Sequence, residues 1–323
     1  SLTLDLKSPQ GKALFFELVK QADVVMDSYR PGVLDKLGIS YQAAQRVNPG
    51  IIYCSITGYG QQGPYVYDAG HDLNYVSLAG ITSMSGVKDG KPALPGVLSS
   101  DLSSGLYAAL SIMIALRHRE RTGAGQAIDI SLHNVALSLL PTAASAYFGS
   151  GEVVQRGMAW YCGSQPNYNI YATEDRRYLA VANFEKKFWV NMCKCLERLD
   201  LCDAIDDPKL FESTYDKLQA IFLTKTSAQW MELFAGKDTC ITPVLDFAEA
   251  MRDPHTLANE MVLEVEDEKY GRHQQPGFAM KLSLTPGQIS RHAPTLGENS
   301  EEILRENGFT KEQIAKLRSL KII

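Results

Sequence analysis

Asp23-Val24-Val25-Met26 and Ile51-Ile52-Tyr53-Cys54-Ser55-Ile56 are the two short apolar runs on which the fold of this 323-residue chain turns. Each is too short and too rich in β-branched residues for a buried helix, and the second stops at Thr57-Gly58. Upstream, Ser1 to Leu6 alternates like a further strand. Ser8-Pro9 then supplies an N-cap and a first-turn proline, and Ala13 to Val19 is amphipathic. Strands separated by helices predict a parallel sheet, with ligands at the carboxyl ends of the strands. Ser28 to Gly32 and Gly58 to Gly60 fall at those ends. No GxGxxG follows any strand, so a nicotinamide-binding reading has no support.

Further along, Leu102 to Arg121 predicts a long helix, apolar on nearly every face and hence a buried core helix, with Gly123 to close it. Arg117, Arg119 and Arg121 sit at its C-terminal end, where cations offset the helix dipole. Ala127 to Leu132 alternates like a strand or turns into another helix, and Val135 to Phe148 is apolar enough to pack across a subunit or domain boundary. Gly149 to Gly163 is richer in glycine and polar groups and marks the switch to a second domain. There Asn167 to Tyr171 and Tyr178 to Ala182 flank a polar turn, which predicts a hairpin. Helices are expected at about 185–199, 207–223, 226–236 and 246–252, followed by a polar stretch through Gln275. The tail carries two capped helices, one opened by Asn299 with Glu302 and one by Thr310 with Gln313, with Gly308 between them. The expected division is residues 1–150, 151–270, and a segment 271–323 that returns to the first domain.

With 45% hydrophobic residues the chain can bury one large core or two ordinary ones. A net charge of −5 argues against a general nucleic-acid surface, so any anion site must be a local basic pocket. Cysteines 54, 162, 193, 195, 202 and 240 form no CxxC pair and have no histidine at metal-ligand spacing. No metal site is expected, and free thiols in a reducing, cytoplasmic compartment are the default. In a eukaryote that compartment becomes mitochondrial or peroxisomal. No apolar run is expected to reach the length of a membrane span.

Two ionisable residues stand out. His71 lies in Ala69-Gly70-His71-Asp72-Leu73-Asn74-Tyr75, and Asp101 in Ser99-Ser100-Asp101-Leu102. Asp101 precedes a long helix and reads as a cap or as an acid. Burial would raise its proton affinity and the helix dipole would lower it. Free N–H groups at that helix start would also suit an enolate oxygen. His71 reads as a turn histidine or as a base titrating near neutrality. Arg30 in Ser28-Tyr29-Arg30-Pro31-Gly32 and Lys7 after the first run read as phosphate ligands or as solvated charges. Glu185, at the start of a second-domain helix, reads as a cap or as a functional carboxylate.

These segments resemble the α-methylacyl-CoA racemases, a branch of the family III CoA-transferase (CaiB/BaiF) superfamily, over nearly the whole chain and in order. By that resemblance Leu4-Asp5-Leu6-Lys7 and Arg30 hold the CoA adenosine and phosphates. Gly58-Tyr59-Gly60 and the run Gly70, Asp72, Asn74, Tyr75 line the acyl-CoA channel. His71 and Asp101 fall on the two proton-transfer positions. Glu185, in Phe184-Glu185-Lys186-Lys187-Phe188, falls on the carboxylate that accompanies the histidine, in a motif similar to the family's Ile-Glu-Pro-Gln-Phe. Arg121 to Gln126, Thr242-Pro243-Val244-Leu245 and Leu296-Gly297-Glu298 agree as well.

The resemblance implies a Rossmann-like large α/β domain with a parallel sheet, a smaller α+β domain, and an interlocked homodimer. It also implies a further N-terminal strand and helix, with a CoA-contacting arginine, outside the numbered residues. The implied activity is 1,1-proton transfer at the α-carbon of a 2-methyl-branched acyl-CoA. The thioester is the substrate, and neither a cofactor nor a membrane is involved. The alternative is CoA transfer between carboxylic acids through a mixed anhydride on Asp101. Gln165-Pro166-Asn167 resembles the transferase branch, and Ala182-Asn183 stands where the racemases carry glycine-alanine.

Overall fold

A computed structural model describes residues 1–267 and 269–323. They divide into two units, Ser1–Arg156 with Pro294–Ile323, and Gly157–Ala293.

In the first unit, β1 (Val24–Asp27), β2 (Ile52–Thr57) and β3 (Ala127–Ser131) form a parallel sheet in that order, with Met26 beside Cys54 and Cys54 beside Ile128. Around it run α1 (Pro9–Val19), α2 (Val33–Leu37), α3 (Tyr41–Val47), α4 (Asp72–Leu78), α5 (Ile81–Met84), α6 (Ser99–Thr122), α7 (Leu132–Ser138) and α8 (Pro141–Ser150). Strand alternation sorts the two faces. Tyr53 packs with Val19, Ala44 and Ile51 on one side, and Cys54 with Ala108, Ile130 and Val135 on the other. The expected α/β architecture with a parallel sheet is therefore present.

The N-terminal segment and helix α6 differ from expectation. Ser1 to Leu6 is not a strand. Its backbone groups pair with the chain's own tail, Asp5 N–H with the Ile322 carbonyl and Asn299 N–H with the Ser1 carbonyl, while Leu4 joins Leu14, Leu304 and Ile314 in a small core. Helix α6 is longer than predicted and is not a buried core helix. It buries a narrow stripe of small residues, Ser100, Ser104, Ala108 and Ala115, and exposes Leu102, Leu106, Leu110 and Met113. By length and composition alone it would cross a membrane, against the expectation that no apolar run is long enough. Its buried stripe, however, meets the sheet and α7 through Cys54, Ile130 and Val135. As predicted, Gly123 ends it in the left-handed conformation, and Arg119 ties its last turn to Asp23 and to the Gly50 carbonyl.

The second unit holds an antiparallel sheet of β4 (Tyr168–Ala172), β5 (Tyr178–Ala182) and β6 (Ile241–Pro243). The hairpin is the predicted one; the third strand is not. Against it pack α9 (Lys186–Cys195), α10 (Phe211–Phe222) and α11 (Ser227–Phe234), followed by the short α12 (Phe247–Ala250) and α13 (Pro254–Ala258). Tyr171, Leu179, Trp189, Leu218, Phe222 and Trp230 form the core. Its polar tips are satisfied by backbone carbonyls: Trp189 Nε1 donates to Leu201 and Trp230 Nε1 to Phe222.

The stretch expected only to be polar contains a second hairpin, β7 (Val262–Asp267) with β8 (Gly271–Pro276). The boundary drawn at 271 thus falls on the first residue of β8, whose pairing with β7 keeps both strands in this unit. The chain rejoins the first unit at Pro294. There α14 (Ser300–Glu306) and α15 (Lys311–Ser319) follow, the latter opened by the reciprocal Thr310–Gln313 cap.

Candidate active site

His71 is the last extended residue before α4, and its N–H donates to Asn74 Oδ1 at 3.0 Å. Asn74 is thereby spent on ordering the turn. Asp72, the first residue of α4, is only 5% exposed. Its Oδ1 accepts from Ser100 N at 2.7 Å and from Asp101 N at 3.1 Å, so it caps α6 from 28 residues upstream. Ser100 Oγ donates onward to the Leu132 carbonyl at 2.8 Å, fastening the same turn to α7. Two of the helix-start donors that the sequence offers to an enolate oxygen, the N–H groups of Ser100 and Asp101, are therefore occupied by Asp72.

Tyr75, one turn beyond Asp72, fits between two glycines. A Cβ on Gly58 would lie 2.5 Å from Tyr75 Oη, and one on Gly70 would lie 2.7 Å from its ring. Both positions need glycine for that close approach. Tyr75 Oη donates to the Gly70 carbonyl at 2.6 Å, and the Tyr59 ring meets Tyr75 edge-on at 5.2 Å.

A cavity of about 560 Å³ lies within the first unit at the carboxyl ends of β1 and β2. Arg30, Gly58, Tyr59, Gly70, His71, Tyr75 and Asp101 all line it. Arg30 also reaches an adjoining cavity of about 300 Å³ walled by Asp27, Tyr53 and Asp129. Burial, then the Asp72 carboxylate, pushes the Asp101 carboxyl above the ordinary aspartate range, while His71 pulls it back. The push acts on an exposed residue, one whose own N–H, like that of Ser100 before it, is given to Asp72. The Tyr75 phenol is likewise raised by burial, Tyr59 and Asp101, with Arg30 opposing.

Leu4, Asp5, Leu6, Lys7, Gly60, Asp72 and Asn74 do not line this cavity. Asp5 Oδ1 accepts from Lys7 N at 2.9 Å, closing a turn before α1. Glu185 lies in the second unit, exposed, as the residue preceding α9, and its carboxylate makes no cap hydrogen bond there. Thr57, Asp68 and Leu132 line the cavity without having been singled out in the sequence, and Tyr29 lines it from the Ser28 to Gly32 strand-end segment. The strand-end rule points to Thr57, whose Oγ1 is buried with no partner among the described residues. The same rule points to Leu132, which directly follows β3, whereas Asp68 carries no such signal. Among the described residues no group of three or more His, Cys, Asp or Glu side chains could hold a metal ion.

Residues 1–300 match the model of CoA-transferase family III. The human α-methylacyl-CoA racemase is 36% identical over 329 residues, covering 100% of this chain and 84% of that protein. The succinyl-CoA–L-malate CoA-transferase alpha subunit of Chloroflexus aurantiacus is 31% identical over 335 residues, covering 100% of this chain and 77% of that protein. The crystal structure of a CaiB/BaiF family protein from Brucella suis superposes with a TM-score of 0.81 at 28% identity, covering 95% of this chain and 81% of that one. A parallel sheet of this kind, the cavity at its strand ends and a sequence match running from the first residue lead to one conclusion: the chain belongs to CoA-transferase family III.

Proposed function

We propose that the protein is an acyl-CoA racemase that exchanges the α-proton of a 2-methyl-branched acyl-CoA. The observation that carries this reading is the presence of His71 and Asp101 in the wall of one cavity, with Arg30 also in that wall. In one direction the His71 imidazole takes the α-proton, the Cα–H electron pair moves into the thioester as an enolate, and Asp101 delivers a proton to the opposite face. In the other direction Asp101 is the base and the His71 imidazolium the acid.

Both directions need one proton shared between the two groups. The upward push on Asp101 supports this, because it narrows the gap between a carboxyl and an imidazole. Arg30 serves the CoA phosphates, with a guanidinium suited to bidentate contact. Glu185 is proposed as the carboxylate accompanying His71, and a second copy of the chain as the partner. The chemistry is carried by side chains, the CoA thioester being the substrate.

The transferase reading is favoured by the comparable similarity to a CoA-transferase. In it Asp101 attacks the thioester carbonyl, expels the CoA thiolate and carries the acyl group as a mixed anhydride. One experiment separates the two. Each enantiomer of a 2-methylacyl-CoA is incubated in heavy water, and a parallel sample is quenched with hydroxylamine and mapped by peptide mass. α-Deuteration with drift to an equal mixture and an unmodified Asp101 is expected. A hydroxamate at Asp101, with CoA passing to a free acid, would establish the transferase instead.

A further inference from the structure

Two observations about Asp72 go beyond a local turn. Its carboxylate is buried, at 5% exposure, yet it faces neither the cavity nor an arginine or lysine ion-pair partner among the described residues. Both hydrogen bonds it accepts come instead from the backbone of another element, at Ser100 and Asp101. A buried carboxylate is expensive unless its charge is answered. Here the answer is the N-terminal end of a 24-residue helix, where free N–H groups and the macrodipole concentrate positive potential.

We infer that Asp72 is a positioning residue for the proton-transfer pair: its carboxylate pins the start of α4, which follows His71, to the first turn of α6, which carries Asp101, and neutralises the positive end of α6 beside Asp101. This rests on the reading of His71 and Asp101 as the two proton carriers. The tether is short. His71 and Asp72 are adjacent in the chain, and one of the two N–H groups on Asp72 belongs to Asp101 itself, so the spacing between the carriers is set through two hydrogen bonds.

The electrostatic half follows from position. Asp101 is the third residue of α6, where an unscreened helix start would stabilise its carboxylate and so discourage it from acting as an acid. With Asp72 on those donors, the charge set at this helix start is negative. The other ionisable groups sharing the cavity wall with Asp101 are His71 before α4, Tyr75 within α4, and Tyr29, Arg30, Tyr59 and Asp68. From α7, His133 lies beside Tyr59, with ring centres 6.3 Å apart. Of the groups acting on Asp101, burial and Asp72 favour the protonated form, and His71 opposes it.

The test compares the parent chain with Asp72→Asn and Asp72→Ala. Asn keeps an acceptor oxygen for the two N–H groups and removes only the charge, whereas Ala removes both. The Asp101 carboxyl is titrated by carbon NMR of aspartate-labelled full-length protein, its signal assigned with Asp101→Asn. In Asp72→Asn the midpoint is expected to move to lower pH while the fold, judged by amide spectra, is kept. With 2-methylacyl-CoA in heavy water, the pH profile of the Asp101-dependent exchange moves the same way, with kcat reduced and KM nearly unchanged. Asp72→Ala is expected to lose at least tenfold in exchange from both enantiomers.

An Asp101 midpoint in Asp72→Asn identical to the parent's overturns the inference, whatever the activity. So does a uniform loss of stability and rate with an unmoved pH profile, since that is what a purely structural cap would give. A parent that exchanges no α-proton sinks the racemase reading separately, and the NMR midpoint still decides the role of Asp72.

Discussion

At the scale of single residues, the site is a set of groups whose neighbours decide their chemistry. Asp101 is the clearest case, because burial and then Asp72 raise its proton affinity while His71 lowers it. Face-by-face proton transfer makes a specific demand on variants. His71→Ala should abolish exchange chiefly from one enantiomer and Asp101→Asn chiefly from the other, each by about 10²–10⁴-fold, a positioned acid or base being worth that much. Equal loss from both enantiomers in both variants would refute the division of labour. Glu185→Gln should slow the His71-dependent exchange more than the Asp101-dependent one. Arg30→Ala should weaken CoA and acyl-CoA to a similar extent, roughly 10–100-fold if one charge-assisted contact is lost, because a phosphate clamp does not sense the acyl group. Calorimetry with both ligands checks this, and unchanged affinity would remove Arg30 from the site.

At the scale of elements, close approaches and ion pairs carry the consequences. Gly58→Ala places a methyl group against the Tyr75 hydroxyl, which is already committed to the Gly70 carbonyl. A loss of about 1–3 kcal/mol on chemical denaturation is expected from overpacking, together with displacement of the Tyr75 wall of the cavity. Ser104 stands in the buried stripe of α6 with an Oγ that has no partner among the described residues. Ser104→Ala should therefore be neutral or stabilising by up to about 1 kcal/mol, since a buried unpaired hydroxyl is removed and a better helix former installed. In the second unit, Arg177 grips Glu249 through two bonds of 2.6 Å and holds its carboxyl down at about 2. A carboxyl depressed in the folded state contributes stability above its unfolded value, and that contribution is lost as pH falls from 4.5 toward 2. Thermal melts across that window should fall less steeply for Glu249→Gln than for the parent, and equal slopes would show that the pair adds nothing.

At the scale of the whole molecule, the exposed side of α6 is the feature that asks for a partner. Leu102, Leu106, Leu110 and Met113 recur at helical spacing and are 63%, 69%, 59% and 64% exposed. If a second copy covers them, Leu106→Glu with Leu110→Glu should shift sedimentation from dimer to monomer, and a parent that sediments as a monomer at micromolar concentration would end that proposal. Much of this protein was legible in its residues. The strands β1 and β2, the first second-domain hairpin, Gly123 closing α6 and the Thr310–Gln313 cap of α15 follow from local rules of period, turn and cap, which act over a few residues, whereas Asn299 makes no side-chain cap bond to α14. His71, Asp101 and Arg30 were legible as candidates from their turn-rich or capping context, whereas Tyr59 and Tyr75 entered only through the family resemblance. Other features depended on partners far away in the chain. Ser1 to Leu6 alternates like a strand but pairs with the tail about 300 residues on. The β7–β8 hairpin is hidden by polar residues on both strands. Helix α6 looked buried because composition cannot say which side of an apolar helix finds a neighbour. Asp72 looked like a channel residue until its carboxylate was found on the backbone of α6. Local patterning determined which elements form and which side chains are chemically unusual, whereas tertiary structure alone decided which groups share a cavity and which carboxylate tunes which, because burial and electrostatic coupling depend on distance in space and not along the chain.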